Sequence, residues 1–254
     1  MPTSWPPNRS VATELSPSHT GSMTAECLAA VASAMADSTR ARMLIALMDG
    51  RAWTAKELAA HAGVAPSTAT EHLNRLVTVG LVSERRQGRH RYVELVDAGV
   101  AEVLESLAVL GEQPSTPPRG MREAVINSAL ARGRTSYDHF AGRLGVTITE
   151  ALLRRGLLDE SLALTTDGRQ WLTDALGSPF EPGRRAATRA CLDWTERRRH
   201  LAGAAGAHIA TAMFTQGWVR RIGSSRAVVV TPAGSAGLER LLGIAAATQF
   251  SAAG

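Results

Sequence analysis

The densest run of chemistry-bearing side chains in these 254 residues lies between Ser67 and Arg91. Ser67, Thr68, Thr70, Glu71, Asn74 and Arg75 recur at helical spacing, with Leu73 and Leu76 pointing the other way. Small polar groups along one helix face can approach base edges and phosphates without steric cost, as reading a DNA major groove requires. Arg85, Arg86, Arg89, His90 and Arg91 then crowd seven residues around Gln87-Gly88. Cations this dense repel one another unless a polyanion lies against them, and a phosphate backbone would serve. A basic hairpin alone reads as a solvated turn, and a polar helix alone as a surface helix. Their succession points to DNA.

The elements that must hold these residues are legible in the flanking chain. Thr54 caps a short helix, Ala55–His61, with Glu57 placed to complete a capping box. Gly63-Val64-Ala65 makes a turn, and Pro66 opens a second helix that runs to about Val79. After Gly80 the pattern becomes extended, with strands Leu81–Arg86 and Arg89–Leu95 around Gln87-Gly88. Upstream, Leu28, Val31, Ala32 and Met35 share one helix face, and Asp37-Ser38 can cap a next helix carrying Met43, Leu44, Leu47 and Met48. Downstream, Asp97 caps a helix with Val100, Val103, Leu104 and Leu107 on one stripe. Together they predict a winged helix-turn-helix over residues 23–111.

Composition sets the remaining bounds. The net charge of +5 favours a polyanionic partner, and two distant cysteines, Cys27 and Cys191, rule out a disulfide framework. Residues 1–22, rich in Pro, Ser and Thr, read as a disordered tail without the pattern of a signal peptide. No run of about eighteen apolar residues occurs, so no membrane partner and a cytoplasmic location are expected. Three prolines mark residues 112–120 as a linker, leaving 121–248 as a second domain.

That second domain contains an internal repeat. HFAGRLGV at 139–146 matches HLAGAAGA at 200–207, and Gly156, Thr165, Gly168 and Leu172 match Gly217, Thr231, Gly234 and Leu238. Each copy, at 137–177 and 198–243, reads as helix, glycine stop, strand, turn, strand and capped helix. The expected fold class is therefore α+β and mainly helical: an N-terminal winged helix-turn-helix plus two degenerate winged-helix-like repeats. Two copies of one unit tend to pack about a pseudo-two-fold axis.

Asp37-Ser38-Thr39-Arg40, Glu57-Leu58, Ser67, His72-Leu73, Leu76, Gly80-Leu81-Val82, Gly88 and Tyr92 together resemble the ArsR/SmtB family of bacterial repressors. The resemblance covers Met23–Leu110. It implies a homodimer joined through Met23–Ala36 and Ala98–Leu110, and repression relieved by an effector. The chain departs from the family's metal sensors. Their third-helix thiols are replaced in Glu57-Leu58-Ala59-Ala60-His61, and Asp97–Leu110 carries no histidine. The metal and cofactor are thus left open. Tyr137-Asp138-His139 and Cys191-Leu192-Asp193-Trp194-Thr195-Glu196 resemble segments of C-terminally extended family members, in which a cysteine commonly precedes the first; Ser136 stands there.

Two readings of the second domain follow. In one, Tyr137, His139, Cys191, Trp194, His200 and His208 converge on an effector pocket, for a small molecule or a metal. In the other, these residues fill a core. The expected function is a sequence-specific, homodimeric repressor of double-stranded DNA that reads an inverted-repeat operator and is released by an effector. A DNA-binding scaffold without ligand response is the alternative. An enzyme fused to such a domain is disfavoured, because no dinucleotide fingerprint, Walker motif, His-Glu-x-x-His or nucleophile elbow occurs.

Overall fold

Asp37 sets the first corner of the fold. The computed structural model describes residues 24–88, 90–111, 120–223, 225–245 and 250. The expected tail, residues 112–119 of the expected linker, and Arg89 lie outside them. Helix α1 (Ala25–Met35) meets α2 (Ser38–Leu47) where the Asp37 carboxylate accepts the backbone N–H groups of Thr39 and Arg40, both at 2.9 Å. Arg40 reaches back to the open end of α1, donating from Nε to the Ala34 carbonyl at 2.5 Å and from Nη2 to that of Ser33 at 3.0 Å. Carbonyls in a last helical turn need such donors. The guanidinium also stands 3.3 Å from His72 Nδ1 on α4 (Pro66–Thr78), so one Asp-x-x-Arg motif pins three helices.

Strand β1 (Trp53–Thr54) leads into α3 (Ala55–Ala62), and Thr54 and Glu57 form both halves of the capping box. Gly63 leaves α3 at φ 70°, a left-handed turn that glycine adopts without strain. Strands β2 (Val82–Gln87) and β3 (His90–Leu95) pair antiparallel, and β1 adds to the other side of β3. Gln87 pairs with His90, so Gln87 belongs to the strand rather than to the expected Gln87-Gly88 turn, and Gly88 beyond it takes a positive φ of 57°. Asp97 caps α5 (Ala98–Leu110) through the Val100 N–H at 3.1 Å. Met43, Leu44, Leu47, Leu58, Leu73 and Leu76 are fully buried in the core these elements share.

The second half opens with α6 (Met121–Arg132), which the sequence pattern does not announce because Met121, Val125 and Ile126 are exposed on it. The first repeat is a hairpin, β4 (Arg134–Ser136) and β5 (His139–Ala141), then α7 (Gly142–Arg154), a bridge Leu158↔Leu164, and α8 (Thr166–Leu176). The second is β6 (Arg189–Leu192) and β7 (Arg199–Ala202), then α9 (Gly203–Thr215), the hairpin β8 (Val219–Arg221) and β9 (Val228–Val230), and α10 (Pro232–Leu242). Thr165 and Thr231 cap α8 and α10 through the N–H groups of Gly168 and Gly234. The copies begin earlier than expected: each gains a hairpin, and His139 and His200 lie on strands rather than helices. Three apolar-flanked residues carry no periodicity to separate strand from helix. Gly142 and Gly203, at φ 72° and 77°, make the break.

The two halves meet around a buried guanidinium. Arg134 is fully buried; its Nη2 lies 2.9 Å from the Asp193 carboxylate and 3.6 Å from that of Glu105 on α5. Arg226 lies 3.7 Å from the other oxygen of Glu105 and donates to the Thr135 carbonyl at 3.2 Å. Two cations thus face two anions in a buried cluster. Trp194 packs its ring 4.8 Å from the Arg134 guanidinium. Around this centre, the Tyr137 N–H donates to the Met48 carbonyl at 2.6 Å, Arg221 to that of Asp49 at 2.9 Å, and Arg189 pairs with Glu102 at 2.8 Å.

Burial alone would push the Asp193 carboxyl up. The Arg134 charge, the Thr195 hydroxyl and the Glu196 and Gly142 N–H groups outweigh it and hold the carboxyl below its ordinary 3.8. A depressed folded pKa confers stability that is complete above the ordinary value and vanishes as pH falls through the folded one. Asp193→Ala should therefore lose about 3–5 kcal/mol in urea unfolding at neutral pH. The difference from the parent should shrink as the solution is acidified.

Candidate functional site

Helix α4 presents a polar face to solvent. Ser67, Thr70, Glu71, Asn74 and Arg75 are exposed and Thr68 partly so, while Ala69, Leu73 and Leu76 are buried beneath them. Thr70 Oγ1 donates to the Pro66 carbonyl at 2.9 Å. On the wing, Arg85, Arg86 and His90 are exposed. Arg91, also in the expected set, has different surroundings. It is half-buried and ion-paired with Glu84, because Arg86↔Arg91 sets two like charges opposite each other and Glu84 neutralises one.

The six residues expected to share one pocket do not all meet. The structure brings His139, Cys191 and His200 together: their ligand atoms all lie within 4.8 Å of one another, and all three residues are buried. The imidazole rings are 5.2 Å apart. Both histidines hold the same place in their hairpins, opposite Ser136 and Cys191 respectively. Glycines let these strands approach. A Cβ on Gly206 would stand 2.7 Å from the Leu201 carbonyl oxygen and 3.1 Å from His139 Cβ, and one on Gly145 would stand 2.3 Å from that of Phe140. The repeated His-x-x-Gly-x-x-Gly spacing thus sets two hairpins back to back on the starts of α7 and α9.

Tyr137, Trp194 and His208 lie elsewhere. Tyr137 sits in the tight β4–β5 turn at φ 58° and packs against the N-terminal core, its phenol pushed up by burial and by Asp138. Trp194 lies under Arg134 and lines an apolar groove with Met35, Ile45, Leu104 and Leu107. His208 Nε2 stands 3.1 Å from the Leu172 carbonyl, with its ring edge-on to Phe180. Side chains carried on turns and on a helix's outer face cannot reach the axis between the hairpins.

Burial, and then the neighbouring His139, push the His200 imidazole down to about 3, so it is neutral at physiological pH. Burial, with Glu105 and Glu102 nearby, pushes the Cys191 thiol up to about 12. Asp138 is held ionised against burial by His139 and Arg185; its Oδ1 lies 3.4 Å from His139 Nδ1. That contact favours a proton on Nδ1 and a lone pair on Nε2. Among the described residues, His139 Nε2, both nitrogens of His200 and Ser136 Oγ have no hydrogen-bond partner.

The metal sites that the family resemblance brings to mind do not fit this chain. On α3, Ala59 and Ala60 offer no ligand and His61 lies edge-on to Trp53. Helix α5 holds no histidine. Sequence reasoning missed Arg134, Glu105 and Arg226 as a unit, and Ser136 as the counterpart of Cys191. The β4–β5 turn is Tyr137-Asp138, whereas β6 and β7 are joined by residues 193–198, so equivalent residues stand at unequal sequence spacings.

A family model described as a helix-turn-helix domain matches residues 35–85. The chain is 36% identical over 223 residues to YdfF, an uncharacterized HTH-type transcriptional regulator of Bacillus subtilis, covering 85% of this chain and 97% of that one. It is 37% identical over 102 residues to the HTH-type transcriptional regulator CmtR of Mycobacterium tuberculosis, covering 38% of this chain and 86% of CmtR. Among solved structures, a homodimeric winged helix-turn-helix domain from Mycobacterium bovis, a possible ArsR-family regulator, is 27% identical over 34% of this chain and 78% of that one, with a TM-score of 0.32. No helix among the described residues is long and apolar enough to cross a membrane.

The hairpin packing makes a stability prediction. Gly206→Ala should destabilise the chain by roughly 1–3 kcal/mol, because its methyl meets a backbone carbonyl that cannot rotate away. Gly120→Ala, where nothing lies within 4 Å of the new methyl, should fall well below this in the same thermal unfolding assay.

Proposed function

The chain belongs to the ArsR/SmtB-type family of helix-turn-helix transcriptional regulators, and on that premise we propose that it is a homodimeric repressor of an inverted-repeat operator, released when an effector binds its C-terminal half. The observation that carries the DNA-reading part is the polar face of α4 beside the basic wing. Residues 23–111 are then the DNA-binding domain and 121–248 the sensing domain. Ser67, Thr68, Thr70, Glu71, Asn74 and Arg75 read the major groove, and Arg85, Arg86, Arg89, His90 and Arg91 hold the flanking phosphates.

The dimer is supported by apolar surface that the chain leaves uncovered. Leu28 on α1 is 58% exposed, and Val103, Leu107 and Leu110 on α5 are 48%, 46% and 81% exposed. Neighbouring helices with this much exposed Leu and Val resemble half an interface. The release is supported by Glu105, on the opposite side of α5 and buried against Arg134 and Arg226. An effector that favours one arrangement of this contact changes DNA affinity by its differential binding to the two arrangements.

Leu107→Glu should give monomers in sedimentation at micromolar concentration and weaken operator binding by more than tenfold, since two tethered half-site contacts become one. A monomer that binds the full site as tightly as the parent contradicts the proposal. Arg86→Ala should weaken all sequences alike and lower the slope of log affinity against log salt by about one per lost phosphate contact.

A further inference from the structure

Four polar atoms without partners, gathered where two hairpins meet, call for an occupant. An unsatisfied buried polar group costs about 1–3 kcal/mol, and here His139 Nε2, both nitrogens of His200 and Ser136 Oγ carry that cost together. Three of the four residues on this axis are transition-metal ligand types. We propose that His139, Cys191 and His200 bind one divalent transition-metal ion of the zinc and cobalt class, as the effector of the regulator proposed above.

The geometry is near what such an ion needs. Zinc takes nitrogen at about 2.0–2.1 Å and thiolate at about 2.3 Å, which in a tetrahedral site sets the ligand atoms roughly 3.5 Å apart. The three ligand atoms already lie within 4.8 Å of one another, so small side-chain rotations close the site. Asp138, beside His139 Nδ1, fixes the tautomer that leaves Nε2 free, the usual outer partner of a metal-binding histidine. Both ring nitrogens of His200 are without a hydrogen-bond partner, so either can turn to the ion. On binding, the Cys191 thiol gives its proton to solvent and the thiolate bonds the ion.

Ser136 sets the character of the fourth position. It opposes His139 in β4–β5 as Cys191 opposes His200 in β6–β7, so the two side chains share the inward face of their hairpins. A serine hydroxyl is a poorer ligand than a thiolate. The site therefore holds three strong donors and leaves one place open for water or a fourth small ligand. Mixed nitrogen and sulfur donors select borderline ions over magnesium or calcium. Cys191 lies two residues from Asp193, the partner of Arg134, so drawing the two hairpins together acts directly on the contact with Glu105.

The test uses the full-length protein, freed of metal by chelator and titrated with Co(II). The expected result is one ion per chain, with intense tetrahedral ligand-field bands and a thiolate-to-cobalt charge-transfer band. Cys191→Ser should lose the charge-transfer band, and His200→Gln should weaken binding by at least about tenfold. Ser136→Cys, which removes nothing from the core, should add charge-transfer intensity and tighten binding. A parent without the sulfur band, a band that survives Cys191→Ser, or no spectral change in Ser136→Cys overturns the site. Operator binding with and without Zn(II) is read separately. Operator binding without a cobalt site leaves the DNA-reading proposal standing alone. Cobalt binding with operator affinity unchanged by Zn(II) overturns the ion's role as effector.

Discussion

A guanidinium taken out of water needs anions and acceptors about it, and Arg134 draws them from both halves of this chain. Its Nη2 meets Asp193, its Nη1 meets the Thr195 hydroxyl at 3.2 Å and the Leu130 carbonyl at 3.4 Å, and Trp194 covers its face. Glu105 then brings α5 from the other half. An ion pair of this kind adds little net stability over well-packed apolar groups. Its effect is to fix position, because every displaced arrangement leaves a charge unmatched. That constraint holds β4 against β6 and both against α5, beside the two histidines whose rings lie 5.2 Å apart.

Helix α5 is thus engaged on two sides. Glu105 and Ala101 are buried, while Val103 and Leu107 on the other side are exposed, where the proposed partner copy would pack. A shift of β6 by a fraction of an ångström changes how Glu105 sits between Arg134 and Arg226, and packed interiors respond to such shifts by moving whole elements. In a dimer joined through α5, the spacing of the two α4 helices follows. The motif Asp37, Arg40 and His72 ties α4 to α1 and α2. The proposed effector site and the proposed DNA face are therefore connected by charged contacts and rigid helices.

The N-terminal half was readable because its signals are local. The Thr54-Glu57 capping box, the Gly63 turn, Pro66 and the leucines of α4 each act within a few residues, and each element lies within a residue or two of its expected bounds. The pairing of Arg91 with Glu84 was not legible, because it depends on strand register. The caps at Thr165 and Thr231 were readable for the same local reason. The C-terminal hairpins were not: β4 and β5 have three residues each, too few for a period, and the unequal turns hide that Ser136 and Cys191 are counterparts. Of the six residues expected to form a pocket, the two repeated histidines meet because the repeat itself places them. Tyr137 and Trp194 do not, since nothing in a linear pattern says which way a turn residue points.

The account rests on the buried charge cluster making one cooperative unit of two hydrophobic cores. Native-state hydrogen exchange measures this directly, by comparing the slowest amides of α2 and α4 with those of α7 and α9. In the parent, both sets should open with one shared free energy. In Glu105→Gln, which removes the charge that α5 contributes, they should separate, with one set exchanging faster than the other. Two sets that already open independently in the parent, or that remain matched in Glu105→Gln, would contradict it.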